Sequence, residues 1–64
     1  MLFHTYKKQT FLVVDDFDNF IFSVRQMLRR LGVVTIDSTR NGTDAVDLCV
    51  RNHYDVILCD YNLG

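Results

Sequence analysis

The sequence predicts an α/β fold, a β-α-β-α-β run that forms a doubly wound parallel sheet with strand order 2-1-3. Three observations carry this. Phe11-Leu12-Val13-Val14 and Val56-Ile57-Leu58-Cys59 contain no polar position, as parallel strands covered on both faces require. The segments after the first and second predicted strands repeat their apolar residues at helical spacing. Each all-apolar run also stops on aspartate, Asp15-Asp16 in one case and Asp60 in the other.

The elements follow in order. Phe11–Val14 is the first strand and, being apolar throughout, belongs in the middle of the sheet. Phe20, Ile21, Val24, Met27, Leu28 and Leu31 then fall on one stripe of an amphipathic helix, with Asp18 or Asn19 as the expected N-cap. Gly32 stands where a helix end wants a residue tolerant of positive φ, and Arg29 and Arg30 oppose the negative end of the helix dipole. Val33-Val34-Thr35-Ile36-Asp37 alternates more than the first strand, which predicts an edge strand. Asn41-Gly42 is turn punctuation. In TDAVDLCVRN, Ala45, Val46, Cys49 and Val50 share a face of a second helix, and Asp44 and Asp47 lie toward its positive end. Val56–Cys59 is the third strand.

Sixty-four residues, 48% hydrophobic and 23% charged, suit one small soluble unit near the lower limit for a self-sufficient core. A net charge of −1 gives no general pull toward nucleic acid or an anionic membrane. No apolar run approaches the roughly 18 residues that span a bilayer, and MLFHTYKK lacks the long apolar core of a secretory signal. These features predict a cytoplasmic protein with no direct nucleic-acid or membrane contact. Cys49 and Cys59 have no second pair and are expected to be reduced, buried and to behave as small hydrophobes. A zinc site on Cys49, His53 and Cys59 would want a fourth ligand, for which the sequence offers no good candidate.

In a parallel sheet of order 2-1-3, with right-handed crossovers, the two helices cover opposite faces. Ligands bind such sheets beyond the carboxyl ends of the strands, where the strand order reverses. That point lies between the first and third strands, so Asp15 and Asp16 are expected to face Asp60 across one crevice. Carboxylates held this close raise one another's pKa unless a cation compensates. Magnesium suits such a site, since it takes one or two carboxylates and leaves positions for water and a phosphoryl oxygen. A remaining carboxylate could then attack phosphorus.

With FLVVDD, the helix closing at LRRLG, RNGTDAVDL and the terminal VILCDYNLG, the chain resembles the receiver domains of bacterial two-component response regulators. The resemblance implies the first half of a flavodoxin-like domain, with residues 1–9 as an N-terminal extension and 10–64 as a receiver portion cut after the third strand. It implies that Asp15 and Asp16 help hold Mg2+, that Asp60 accepts the phosphoryl group, and that the backbone carbonyl of Asn62 completes the metal shell. The implied partner is a histidine kinase or histidine phosphotransfer protein. Catalysis would be modest and self-directed, so no enzyme is expected. Leu63-Gly64 stands where the family often has proline, and the family's later hydroxyl residue and lysine match no position here. On physical grounds the apolar third strand would be an exposed edge, which predicts association, as a homodimer, through that edge.

Two other readings compete. Asp16-Phe17-Asp18 also resembles the DxD signature of haloacid-dehalogenase-like phosphatases, with Asp16 as nucleophile and Asp18 as general acid/base, although Phe20 stands where that family has threonine or valine. A receiver-like interaction module without phosphorylation is the third. Asp37 is expected on a solvated edge, and His4 and His53 on the surface. Phe22 points away from the core stripe, onto the face carrying Arg25, Gln26 and Arg29. With Phe17 it is a candidate partner contact, because receiver-like proteins dock their partners on the first helix and an aromatic beside arginines suits a small interface.

Overall fold

The computed structural model describes residues 9–60, in the order β1 (Thr10–Val14), α1 (Asp18–Arg30), β2 (Thr35–Thr39), α2 (Gly42–Arg51) and β3 (Val56–Cys59). The three strands are parallel in the order β2-β1-β3, as the apolar pattern predicts. Thr10 pairs with Thr35 and Val14 with Thr39 on one side of β1, while Phe11 pairs with Val56 and Val14 with Cys59 on the other.

Being central, β1 is also the most deeply buried element. Leu12, Val13 and Val14 are essentially inaccessible to solvent, and each such side chain contributes about 1.5–3 kcal/mol relative to exposure. Phe11 and Val13 pack with Ile21, Val24 and Leu28 of α1 and with Val33 and Ile36, and Val56 and Leu58 of β3 border this cluster. Side chains alternate along a strand, so Leu12 and Val14 belong to the opposite face, and α2 lies against β1 and β2.

The helix stripe is only half covered. Ile21, Val24 and Leu28 are buried, whereas Phe20, Met27 and Leu31 are exposed. The reason is the position of β3. It is the last described strand on its side, so the flank of α1 beyond it finds no sheet. Phe20, Val24 and Met27 meet Leu58, Cys59 and Asp60 there along an apolar groove of about 360 Å³.

At its far end α1 closes as predicted. Gly32 adopts φ 95°, the Gly32 N–H donates to the Arg29 carbonyl at 3.0 Å, and the Val33 N–H donates to the Leu28 carbonyl at 3.0 Å. These two bonds make a Schellman motif, and its usual apolar contact is present because Val33 and Leu28 share the core. That motif consumes Val33, so β2 starts at Thr35 and runs to Thr39 rather than spanning residues 33–37. Val33 and Val34 form the connector.

Two further expectations are corrected around α2. The sheet-facing positions are Ala45 and Leu48, both half-buried, while Val46, Cys49 and Val50 face solvent and no α2 residue is fully buried. Cys49 and Cys59 are both free thiols, and both are exposed rather than buried. Asn41 does more than mark a turn: its side chain caps the helix by accepting the Asp44 N–H at 2.8 Å. Among the described residues no helix is long and apolar enough to cross a membrane.

Candidate functional site

The carboxyl ends of β1 and β3 lie side by side because the ladders continue past the strands. The Asp60 N–H donates to the Val14 carbonyl at 2.9 Å, and the Asp15 N–H donates to the Thr39 carbonyl at 3.1 Å. Since Val14 pairs with Cys59, Asp15 and Asp60 follow in neighbouring strands, whose backbones run about 4.8 Å apart. The ends of β1 and β3 therefore lie adjacent where the strand order reverses.

The acidic side chains have different surroundings. Asp15 is 1% exposed, and its Oδ1 accepts the Phe17 N–H at 2.7 Å. That bond supports the turn into α1, where the expected N-cap of Asp18 or Asn19 is corrected. The cap position is Phe17, which makes no side-chain cap bond, and Asp18 is already the first helical residue. Asp18 Oδ1 instead lies 3.3 Å from Arg40 Nε. Asp16 is exposed, and its backbone carbonyl accepts from Arg40 Nη2 at 3.5 Å. Asp60 is exposed and borders the groove beside α1.

For a cation, the chemistry of the donors fits: carboxylate oxygens from two adjacent strand ends are the ligands a hard divalent ion prefers. Among the described residues, however, no three Asp, Glu, His or Cys side chains converge tightly enough to form a cluster. The backbone ladder brings Asp15 and Asp60 abreast, at the ends of β1 and β3. Asn62 lies outside the described residues, as does His4.

Other candidates find structural partners. Asp37 is half-buried rather than solvated, and accepts a short hydrogen bond from the Tyr54 hydroxyl. This bond, together with burial, pushes the phenol up to about 12. His53 is on the surface as expected, 3.3 Å from Asp55. Asp55 in turn accepts the Thr10 N–H at 2.8 Å, which holds its carboxyl below the usual range. Its own N–H returns to the Thr10 carbonyl at 2.9 Å, so β1 and β3 are clasped at their amino ends too.

Phe17 and Phe22 are 71% and 65% exposed. Phe22, Ser23, Gln26, Met27, Arg30 and Leu31 line a shallow depression on the outer side of α1. Arg25 does not share it: Arg25 is half-buried and its Nη1 donates to Ser38 Oγ at 3.3 Å.

Sequence reasoning missed Arg40, which joins the β2 end to the acidic loop. The signal was the pair Ser38-Thr39. Carrying the second strand through it places the next residue, Arg40, opposite Asp15, within side-chain reach of Asp16.

Residues 11–64 match the family model of the response regulator receiver domain. No solved structure matches the chain.

Proposed function

The chain belongs to the response regulator receiver domain family, whose members are phosphoacceptor signalling domains of two-component systems, and we propose that it acts as a phosphorylation-dependent switch with Asp60 as acceptor. The observation that carries this reading is the Asp60-to-Val14 bond, which sets Asp60 beside the Asp15-Asp16 loop at the switch point of the sheet. Membership of this family favours the receiver reading over the dehalogenase-like alternative, and Asp18, in the first turn of α1, is paired with Arg40.

In this reading Asp15, Asp16, Asp60 and the backbone carbonyl of Asn62 would hold a magnesium ion. When bound, the ion offsets the mutual repulsion of the carboxylates and of the incoming phosphoryl oxygens. A carboxylate oxygen of Asp60 attacks phosphorus in line; the new O–P bond forms as the P–N bond of a partner phosphohistidine breaks, and the electron pair stays on the imidazole nitrogen. Exposure of Asp60 gives the donor access. Burial of Asp15 fixes the loop from below. The product adds charge and acceptor oxygens at the strand ends, which biases the neighbouring loops.

The donor is a histidine kinase or phosphotransfer protein of a bacterial cytoplasm. It docks on the exposed Phe17 and the Phe22–Arg30 side of α1. The apolar groove beside β3 and its outer edge give a second surface, through which two copies pair. The protein is a switch rather than an enzyme, since the group transferred stays on its own side chain.

Intact mass after incubation with magnesium and a small-molecule phosphodonor tests the central claim. One phosphoryl group is expected on the wild-type chain, only with magnesium, and none on Asp60→Asn. Incorporation that persists in Asp60→Asn would move the acceptor elsewhere, and none in wild type would favour a non-phosphorylated module. Sedimentation equilibrium tests the pairing; a monomer at high concentration would overturn it.

A further inference from the structure

Arg40 touches one short loop at two points. Its Nη2 donates to the Asp16 carbonyl at 3.5 Å, and its Nε lies 3.3 Å from Asp18 Oδ1. The two contacts straddle Phe17, whose N–H is held from the strand side by the Asp15 carboxylate. Every residue between β1 and α1 is thus fixed by a different partner: Asp15 by the Thr39 carbonyl, Asp16 by Arg40, and Phe17 by Asp15.

The sheet delivers Arg40 to this place. The bond from the Asp15 N–H to the Thr39 carbonyl carries the β1–β2 pairing one step past Val14 and Thr39, so the residue after Thr39, Arg40, comes opposite Asp15, and its side chain reaches on to the Asp16 carbonyl. A guanidinium suits the task, because its planar fork offers several donors to two acceptors at once, where a lysine offers a point charge. The acceptor on Asp16 is its carbonyl. The contact therefore orders the backbone without taking up the Asp16 carboxylate.

We propose that Arg40 is a positioning residue, which grips the Asp16 carbonyl and the Asp18 carboxylate together and so presets the loop that presents Asp15 and Asp16 to the cation and to Asp60. The role rests on the switch reading above. Two effects of Arg40 on cation binding have opposite signs. Its charge repels a divalent ion, but both partners of the Arg40–Asp18 pair are largely exposed, and interactions at such sites are screened and small. Ordering of the loop favours binding, because the entropy of fixing the ligands has been spent before the ion arrives. Ordering is the larger effect here, since Arg40 bonds the loop backbone itself.

Magnesium titration by calorimetry on the full chain separates the two, run on wild type, Arg40→Ala, Arg40→Lys and Asp18→Asn beside their thermal midpoints and the exchange rate of the Phe17 amide. Arg40→Ala should weaken magnesium about threefold to tenfold and speed exchange at Phe17 by a similar factor, with the thermal midpoint nearly unchanged. Arg40→Lys keeps the charge but only one contact, and Asp18→Asn loses one contact, so both should fall between. Equal or tighter magnesium binding in Arg40→Ala would overturn the role, and so would a loss of affinity that only follows a loss of stability. Wild-type chain that binds no magnesium and gains no phosphoryl group would overturn the switch reading itself, and this role with it.

Discussion

The backbone N–H of Asp60 donates to the carbonyl of Val14 at 2.9 Å, so the acceptor residue is held in place by its main chain. Its side chain is free of that duty. Asp60→Asn should therefore abolish phosphoryl incorporation while leaving the thermal midpoint unchanged or slightly raised, because one of several like charges at the strand ends is removed. Intact mass and calorimetry on the same sample check both halves.

Asp15 should behave differently, because its side chain is structural as well as acidic. Asp15→Ala removes the acceptor of the Phe17 N–H at the entry to α1, and loss of such a bond costs about 1–2 kcal/mol. Urea denaturation should show that loss without magnesium present. An unchanged midpoint would mean that the amide finds another partner.

Gly32→Ala should destabilise by about 1–2 kcal/mol, since φ 95° brings a β-carbon against the following carbonyl. Val50→Ala on exposed α2 should stay within about 0.5 kcal/mol. The contrast is measured by parallel denaturation curves.

Tyr54 links stability to alkaline pH. Its folded-state pKa of about 12 lies above the ordinary 10.0, so the folded protein keeps its phenolic proton where the unfolded chain has lost it. The stabilisation is complete below pH 10 and disappears as pH rises toward 12. Tyr54→Phe should remove this dependence, and chemical denaturation at pH 9 and pH 11 reads it. Asp55 works at the other end of the scale. Its lowered pKa gives stability that is present above the ordinary 3.8 and lost as pH falls through the folded value. Asp55→Ala should lower the midpoint by a few degrees at neutral pH and by less in acid.

Phe22→Ala should slow phosphotransfer from a phosphohistidine partner about tenfold, the effect of losing one interface anchor. Labelling by a small-molecule donor should not change. Equal rates with both donors would place the docking surface elsewhere.

The topology was legible in the sequence because burial on both faces leaves an unmistakable mark: no polar residue interrupts Phe11–Val14 or Val56–Cys59. Gly32 was legible for a similar reason, since few residues tolerate positive φ. The placement of Asp15 and Asp60 followed from the order of the strands. What the sequence hid was set by partners far along the chain. Asp37 finds Tyr54, Thr10 finds Asp55, and Asp18 and the Asp16 carbonyl find Arg40; no local period encodes such pairs. The helix cap was missed because α1 starts one residue earlier than the capping residues suggested: Asp18 is already helical, Phe17 takes the cap position without a side-chain cap bond, and Asp15 holds the Phe17 amide instead. On α2 the apolar pattern suggested a buried face, but burial depends on what lies opposite, and the sheet meets only Ala45 and Leu48.

Every ladder in the sheet includes β1, for β2 and β3 each pair with it and not with each other. The two pairings close loops of very different length, from Thr10 to Thr35 and from Phe11 to Val56, so neither hairpins nor local contacts can build the sheet piecemeal. Opening β1 breaks both ladders together and exposes the core. The described sheet should therefore open as one cooperative unit, with the amides of Leu12, Val13 and Val14 expected to exchange with solvent only when the whole sheet comes apart and the helix ends fraying independently.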